Sequence, residues 1–306
     1  MNSHPNLSEQ IDQVVSTVVP TVIATRWRSF HTLVGGQRRS RIAGLGYDLQ
    51  RIKQFDPAGD DRRQILHHAT AATGGEIVYA KVTYGTTSIP IYVLVELSPT
   101  LTFGTVRASK ARLAAELTAM VIAAAKESND RAAFIGFNSA ATTSYLRPTA
   151  PGRIMYPALE NVLQSHVAPA DGTTGGGFKQ ALQLLPRRRT LVFVISDFLG
   201  LEPETVNELG DAAAIHDVVG LVLQDRRERE LPPGRGLLTL ESFDGQRRTL
   251  MLNDKTRRLY ALDFDEQARR RAELLTGLGL RFTSVSTEEG EAAVTRLLDL
   301  FDSGAF

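Results

Sequence analysis

The chain predicts an α/β fold, a doubly wound and mostly parallel sheet with helices on both faces. Five runs carry this expectation: 89–97, 132–137, 190–196, 217–223 and 280–286. Each is rich in β-branched or aromatic residues with little polar alternation, as strands covered on both faces are. Segments of helical periodicity separate them, and that alternation is what a parallel sheet with crossover helices requires. The run Ile89-Pro90-Ile91-Tyr92-Val93-Leu94-Val95-Glu96-Leu97 is the most apolar and is expected at the centre. It ends abruptly in polar groups.

Taken in order, residues 1–37 read as a helical lead-in. Ser8, Glu9 and Asp12 signal an N-terminus, and Ile11, Val14, Val15, Val18 and Val19 form an apolar stripe that Pro20 interrupts. Trp27, further along, is expected to pack rather than to bind a ligand. Residues 38–88 read as a strand-and-turn segment. Arg38–Gly46 is basic and glycine-bearing, Asp56-Pro57-Ala58-Gly59-Asp60 has tight-turn chemistry, and Glu76–Tyr84 has strand composition before a Gly85-Thr86-Thr87 turn. Arg62 and Arg63 stand ready to pair with Asp60 and Asp61.

Residues 89–306 then form the α/β domain. Helices are expected over Ala108–Lys126, 157–167, Phe178–Leu185, Pro203–Ile215, Asp263–Leu275 and Glu288–Phe301. Gly236–Glu241 and Gln246–Leu252, joined through Asp244-Gly245, predict a β-hairpin inserted at about 236–252.

Composition narrows the function. The 306 residues are 42% hydrophobic and 23% charged with a net charge of +1, which disfavours general nucleic-acid binding. There is no cysteine, so disulfides and thiolate metal sites are excluded. No apolar run reaches the roughly 18 residues of a membrane span, and Met1–Gln13 lacks the basic and apolar regions of a signal peptide. The expectation is a cytoplasmic protein.

At the carboxyl ends of the expected parallel strands, or just beyond, stand Glu96, Ser98, Thr100, Asn138 and Asp197. Open α/β sheets place their ligands there. Carboxylate and hydroxyl oxygens converging on one edge suit a hard dication, magnesium above all. They also serve equally well to cap helices and satisfy turn amides. Of the six histidines, His31, His67, His68, His166 and His216 are scattered and show no metal-binding spacing. Ser98 lacks a glycine-flanked elbow. Gly104-Thr105-Val106-Arg107-Ala108-Ser109-Lys110 lacks the ending of a phosphate loop, and Lys110 is read as neutralising the sheet edge or capping a turn. The arginine runs at 187–189, 226–229 and 269–271 read as solvated faces.

Three blocks carry a family resemblance: Gly44-Leu45-Gly46-Tyr47-Asp48-Leu49 with Phe55-Asp56-Pro57-Ala58-Gly59-Asp60-Asp61-Arg62-Arg63-Gln64-Ile65; Val95-Glu96-Leu97-Ser98-Pro99-Thr100 with Gly104 and Lys110; and Val194-Ile195-Ser196-Asp197-Phe198. Asp225, Glu228 and Ser286-Thr287-Glu288 extend it. The chain resembles domain of unknown function 58, a group of von Willebrand factor A-like proteins associated with MoxR-type AAA+ ATPases. The resemblance implies a sheet of von Willebrand factor A type and makes residues 38–88 its family-specific N-terminal segment. It also implies a metal-ion-dependent adhesion site, in which Ser98 and Thr100 supply the two hydroxyls and Asp197 the last carboxylate. Glu96 stands where the family has aspartate, and Gly176-Gly177-Phe178 align with its threonine loop. The site expected is therefore degenerate, holding either no cofactor or a weakly bound Mg²⁺.

The function expected is a non-enzymatic interaction module. It would be an adaptor that engages a MoxR-type ATPase and client proteins through Ser98, Thr100, Asn138 and Asp197, with neither nucleic acid nor a membrane span involved. The alternative is a magnesium-dependent phosphoester hydrolase using the same edge.

Overall fold

In a computed structural model of the chain, residues 6–18, 38–58, 60–88, 90–104, 108–164, 176–199, 201, 203–241, 247–289, 295–297 and 299 are described. The first element, α1 (Leu7–Ser16), is capped by Asn6 rather than by Ser8: the Asn6 side chain accepts from the Glu9 amide, and the Glu9 carboxylate answers the Asn6 amide. The rest of the lead-in, including Trp27, lies outside the described residues.

The segment 38–88 holds more strand than its composition signals. β1 (Arg38–Gln54) runs through the glycine-bearing stretch and pairs antiparallel with β2 (Tyr79–Thr87). The register of this pair shifts three times, between Arg39 and Ala43, Gly44 and Leu49, and Leu49 and Arg51. Bulges of this kind let glycines and basic residues sit within a strand. β2 begins three residues later than expected and continues through the predicted Gly85-Thr86-Thr87 turn. The tight turn at 56–60 is present, with the Ala58 amide donating to Asp56 Oδ1 and the Asp60 amide to the Asp56 carbonyl. Asp60 pairs with Lys53 at 2.6 Å rather than with the neighbouring arginines, and Asp61 caps the 3₁₀ turn Arg62–Gln64. His67 and His68 open the short helix α2 (His67–Ala72).

The main sheet has six strands: β3 (Pro90–Glu96), β4 (Arg131–Phe137), β5 (Thr142–Thr149), β6 (Leu191–Ser196), β7 (Asp217–Gln224) and β10 (Arg281–Ser286). Their spatial order is β10-β7-β6-β3-β4-β5. All neighbours are parallel except β4 and β5. β5 was not expected. Its half-exposed, threonine-rich alternation and Pro148 mark an edge strand, which gives none of the apolar signal of a central one.

The order places β3 at the centre because its residues are apolar on both sides. Ile91, Val93 and Val95 face a layer that includes α1, α3 (Lys110–Glu127) and α4 (Pro151–Gln164). Tyr92 and Leu94 face a second cluster to which α5 (Gly176–Gln183) contributes Phe178 and Leu182, and α6 (Pro203–Ile215) contributes Leu209. Truncating a fully buried strand residue such as Leu94 to alanine typically costs about 2–5 kcal/mol. α4 starts six residues before its predicted position, with Pro151 in its first turn, where the missing amide hydrogen is not needed.

After β7 a single turn of helix, α7 (Arg226–Arg229), precedes the expected hairpin of β8 (Gly236–Glu241) and β9 (Arg247–Leu252). α8 (Asp254–Gly277) is longer than predicted at both ends. Of the closing helix predicted over 288–301, residues 295–297 and 299 are helical, whereas Glu288 lies in a turn; the remainder is outside the described residues.

Candidate functional site

From β3 the chain turns through α3 to β4 on one side of the sheet; from β6 it turns through α6 to β7 on the other. The carboxyl ends of β3 and β6 are therefore adjacent at the point where the winding reverses, which leaves a crevice unfilled by crossovers. Four of the five predicted residues come together there. The Ser98 and Thr100 hydroxyls share a 2.6 Å hydrogen bond, and Thr100 Oγ1 donates to Asp197 Oδ2 at 3.1 Å. Glu96 Oε2 accepts from the Ser196 hydroxyl at 2.6 Å. Ser98 and Asp197 are buried, while Thr100 is half-buried.

The local chain folds to hold Asp197 in place. Its Oδ1 accepts from the Leu199 amide at 3.0 Å, and Ser196 Oγ accepts from the Phe198 amide at 2.8 Å. Between them Phe198 has φ 51°, a left-handed conformation rare for a bulky residue. Its ring is anchored edge-on against Phe178, which in turn stacks on Phe137 at 4.7 Å. Backbone strain of this kind costs about 1–3 kcal/mol and persists where the surroundings over-determine it. The turn it forms aims the Asp197 carboxylate along the sheet edge.

Lys110 completes the cluster. It is the first residue of α3, capped by Ser109, and its side chain is fully buried. Nζ donates to Asp197 Oδ2 at 3.1 Å and pairs with the Glu228 carboxylate. The approach depends on Gly104, where a Cβ would fall 2.3 Å from the Ala108 carbonyl oxygen. Burial pulls the Lys110 pKa down, but Asp197 and Glu228 more than offset this and leave it above the ordinary lysine value. Lys110 is thus a permanent buried cation. The reading of Lys110 as an edge neutraliser agrees with this arrangement; its second partner, Glu228 on α7, belongs to the family resemblance but carries no sign in the sequence of pairing with Lys110.

Glu228 is held by the Asp225 capping box at the end of β7, where its Oε2 accepts from the Asp225 amide at 3.0 Å. Asp225 Oδ2 accepts from the Thr287 hydroxyl just beyond β10, at 2.6 Å. From α8, Arg271 donates to the Asp197 carbonyl at 2.8 Å. A continuous polar network therefore spans the carboxyl ends of β3, β6, β7 and β10. Asp225, Glu228, Arg271 and Thr287 were not among the expected site residues, although each acidic or hydroxyl member lies just past a predicted strand.

A dication fits this donor set poorly. Glu96 Oε2 is already engaged by the Ser196 hydroxyl, and burial, reinforced by repulsion from Asp197, pushes its carboxyl up to about 7. An ion at the usual distance of about 2.1 Å from Asp197 Oδ2 would lie within about 5 Å of the Lys110 ammonium. There the double and single charges repel by about 6 kcal/mol at an effective dielectric constant of about 20.

The fifth predicted residue, Asn138, does not join the network. Its Oδ1 accepts from the Ala140 and Ala141 amides, forming a turn against the start of α5. Gly176 and Gly177 are required there, because a Cβ on Gly177 would lie 2.1 Å from the Asn138 carbonyl oxygen. Thr173 and Thr174 lie outside the described residues, as do His31 and His166. His216 is buried beside the amino end of β7, the opposite edge, and burial lowers its pKa. The arginine runs lie largely on solvated faces, their surface pairs more than half exposed on the arginine side, with Arg271 the exception. Arg189 pairs with Asp217, Arg226 with Glu230 and Arg229 with Asp265, and Arg271 is drawn into the site.

Among solved structures, the chain is similar to the conserved hypothetical protein BatB from Bacteroides thetaiotaomicron, at 15% identity and a TM-score of 0.44, covering 71% of this chain and 100% of that one. It is similar also to an aerotolerance-related membrane protein from Bacteroides fragilis, at 14% identity, a TM-score of 0.44 and the same coverage. Uncharacterized proteins from Mycobacterium tuberculosis and Mycobacterium bovis are 25% identical over 280 residues, 90% of this chain and 86% of theirs. The family model described as "Protein of unknown function DUF58" matches residues 53–273. The chain belongs to the DUF58 family, whose function is unknown.

Proposed function

We propose that this protein is a non-enzymatic interaction module with a sheet of von Willebrand factor A type. It acts in the cytoplasm as an adaptor for a MoxR-type AAA+ ATPase in the maturation or remodelling of client proteins. The observation that carries the reading is the state of the switch-point edge. Its hydroxyls and carboxylates bond to one another and to Lys110, which favours a rigid recognition frame over a reactive centre. Ser98 sits beside Thr100 rather than beside an imidazole, so no serine–histidine pair is assembled among the described residues. At the rim, Leu199, whose amide donates to Asp197, is 48% exposed and so offers a side chain that can be changed without entering the buried network. The MoxR partnership and the von Willebrand type rest on the sequence resemblance.

The test is retention of the MoxR-type ATPase from the same organism on the immobilised full chain. Wild type is expected to retain it. Leu199→Asp, which changes only the exposed rim, is expected to weaken retention about tenfold or more, the loss of about 1.4 kcal/mol or more of contact. Ser98→Ala and Asp197→Ala should do the same by disturbing the frame. No retention by folded wild type would overturn the adaptor reading.

A further inference from the structure

The strand-end oxygens of this site are the donor types that a hard dication takes, yet the space they face already holds a charge. Lys110 reaches it from the first turn of α3, fully buried and paired on two sides by carboxylates from different parts of the chain, Asp197 after β6 and Glu228 on α7. A buried ammonium is tolerated only when it is paired and hydrogen-bonded in this way. Removing either carboxylate would leave the ammonium with a single counter-charge, and removing the ammonium would deprive both carboxylates of it.

We propose that Lys110 is the resident cation of the site: its ammonium supplies the charge that a divalent ion would otherwise bring, and the edge is assembled without metal. Three features of the site support this. The Asp197 oxygen that accepts from Thr100 is also the one that accepts from Lys110, so the ammonium occupies the coordination face shared by the hydroxyl and the carboxylate. Gly104 has no room for a side chain, and this close approach lets the loop after β3 fold back tightly enough to bring α3 to the edge. Glu228 is itself oriented by the Asp225 capping box, so the second carboxylate is positioned rather than incidental. A covalently tethered cation cannot be removed by a chelator or diluted away. It also pairs with two carboxylates, a trio that is net negative, so this ammonium has no spare positive charge with which to bridge to an acidic side chain of a partner. Recognition at this edge therefore runs through its rim. The assignment does not depend on which partner binds, and it stands or falls apart from the adaptor reading.

The experiment is a Mn²⁺ titration of the full chain, followed by the electron paramagnetic resonance signal of free Mn²⁺, with wild type, Lys110→Ala and Lys110→Gln compared. Wild type is expected to leave Mn²⁺ free into the millimolar range. Lys110→Ala, which vacates the space between two carboxylates and two hydroxyls, is expected to take up one equivalent at least about tenfold more tightly than wild type. Its melting temperature should rise with Mg²⁺ or Mn²⁺, while that of wild type should not. Lys110→Gln keeps the length of the side chain and is expected to bind Mn²⁺ less than Lys110→Ala. If Lys110→Ala folds only when Mg²⁺ is supplied, that rescue supports the assignment, and failure of Mg²⁺ to rescue it counts against it. Micromolar, stoichiometric Mn²⁺ uptake by wild type would overturn the proposal. So would a folded Lys110→Ala protein whose uptake is no greater than that of wild type.

Discussion

Asp197 shows how a single residue can be legible in position and opaque in role. Its place after an apolar run ending in Ser196 marks a strand terminus, and the opposing Ser98 and Thr100 mark another; the sheet brings the two within hydrogen-bonding distance. Lys110 is read from the sequence as an edge neutraliser, but spacing does not show that its charge falls on Asp197, nor that Glu228 pairs with the same ammonium from α7. Glu96 gives a pH-dependent prediction. Its carboxyl titrates near 7 in the folded protein against an ordinary value of 4.5. The folded state therefore binds a proton that the unfolded state releases over that interval, and the stabilisation, complete below about 4.5, is lost as pH rises through about 7. Glu96→Gln, which stays neutral, should be more stable than wild type at about pH 8 by about 1–3 kcal/mol and show no such gain at about pH 4, as read from urea denaturation. Equal stability at about pH 8 would mean the carboxyl ionises freely. At the far end of the network, Thr287→Val removes the hydroxyl that donates to the buried Asp225 carboxylate and should cost about 1.5–3 kcal/mol by the same measurement.

At the scale of elements, the buried strands and the hairpin were readable because their patterns follow from burial on both faces or from an Asp-Gly turn. β5 was not, since an edge strand with one solvated face looks like a polar loop; nor was β1, whose bulges break any periodicity. α7 is too short to carry a pattern at all. The glycine pair opening α5 illustrates a reading that the structure recast. It aligns with a family loop, yet its fit here is steric, packed on the Asn138 turn. Gly177→Ala should therefore destabilise the protein by about 1–3 kcal/mol, since its Cβ would meet the backbone oxygens of Asn138 and Ala141 at 2.1 and 2.6 Å. Gly152→Ala is the control. It lies in the first turn of α4 with nothing within 4 Å of the added methyl, and should stabilise by about 0.5 kcal/mol or more. Thermal melts of the two variants should move in opposite directions.

For the whole molecule, a parallel sheet wound in two directions from β3 places one crevice at the carboxyl edge, and a polar network fills it. Among the described residues no helix is long and apolar enough to cross a membrane. If Lys110 is the resident cation, as proposed above, this network is a closed frame that needs no metal ion. Urea unfolding of wild type in chelator and in millimolar Mg²⁺ tests this most directly, because an ion that binds only the folded state adds RT ln(1 + [L]/Kd) to its stability. Superimposable curves are expected from a site already filled by Lys110. A shift of about 4 kcal/mol, the gain expected when Mg²⁺ is present at about a thousand times its Kd, would contradict it.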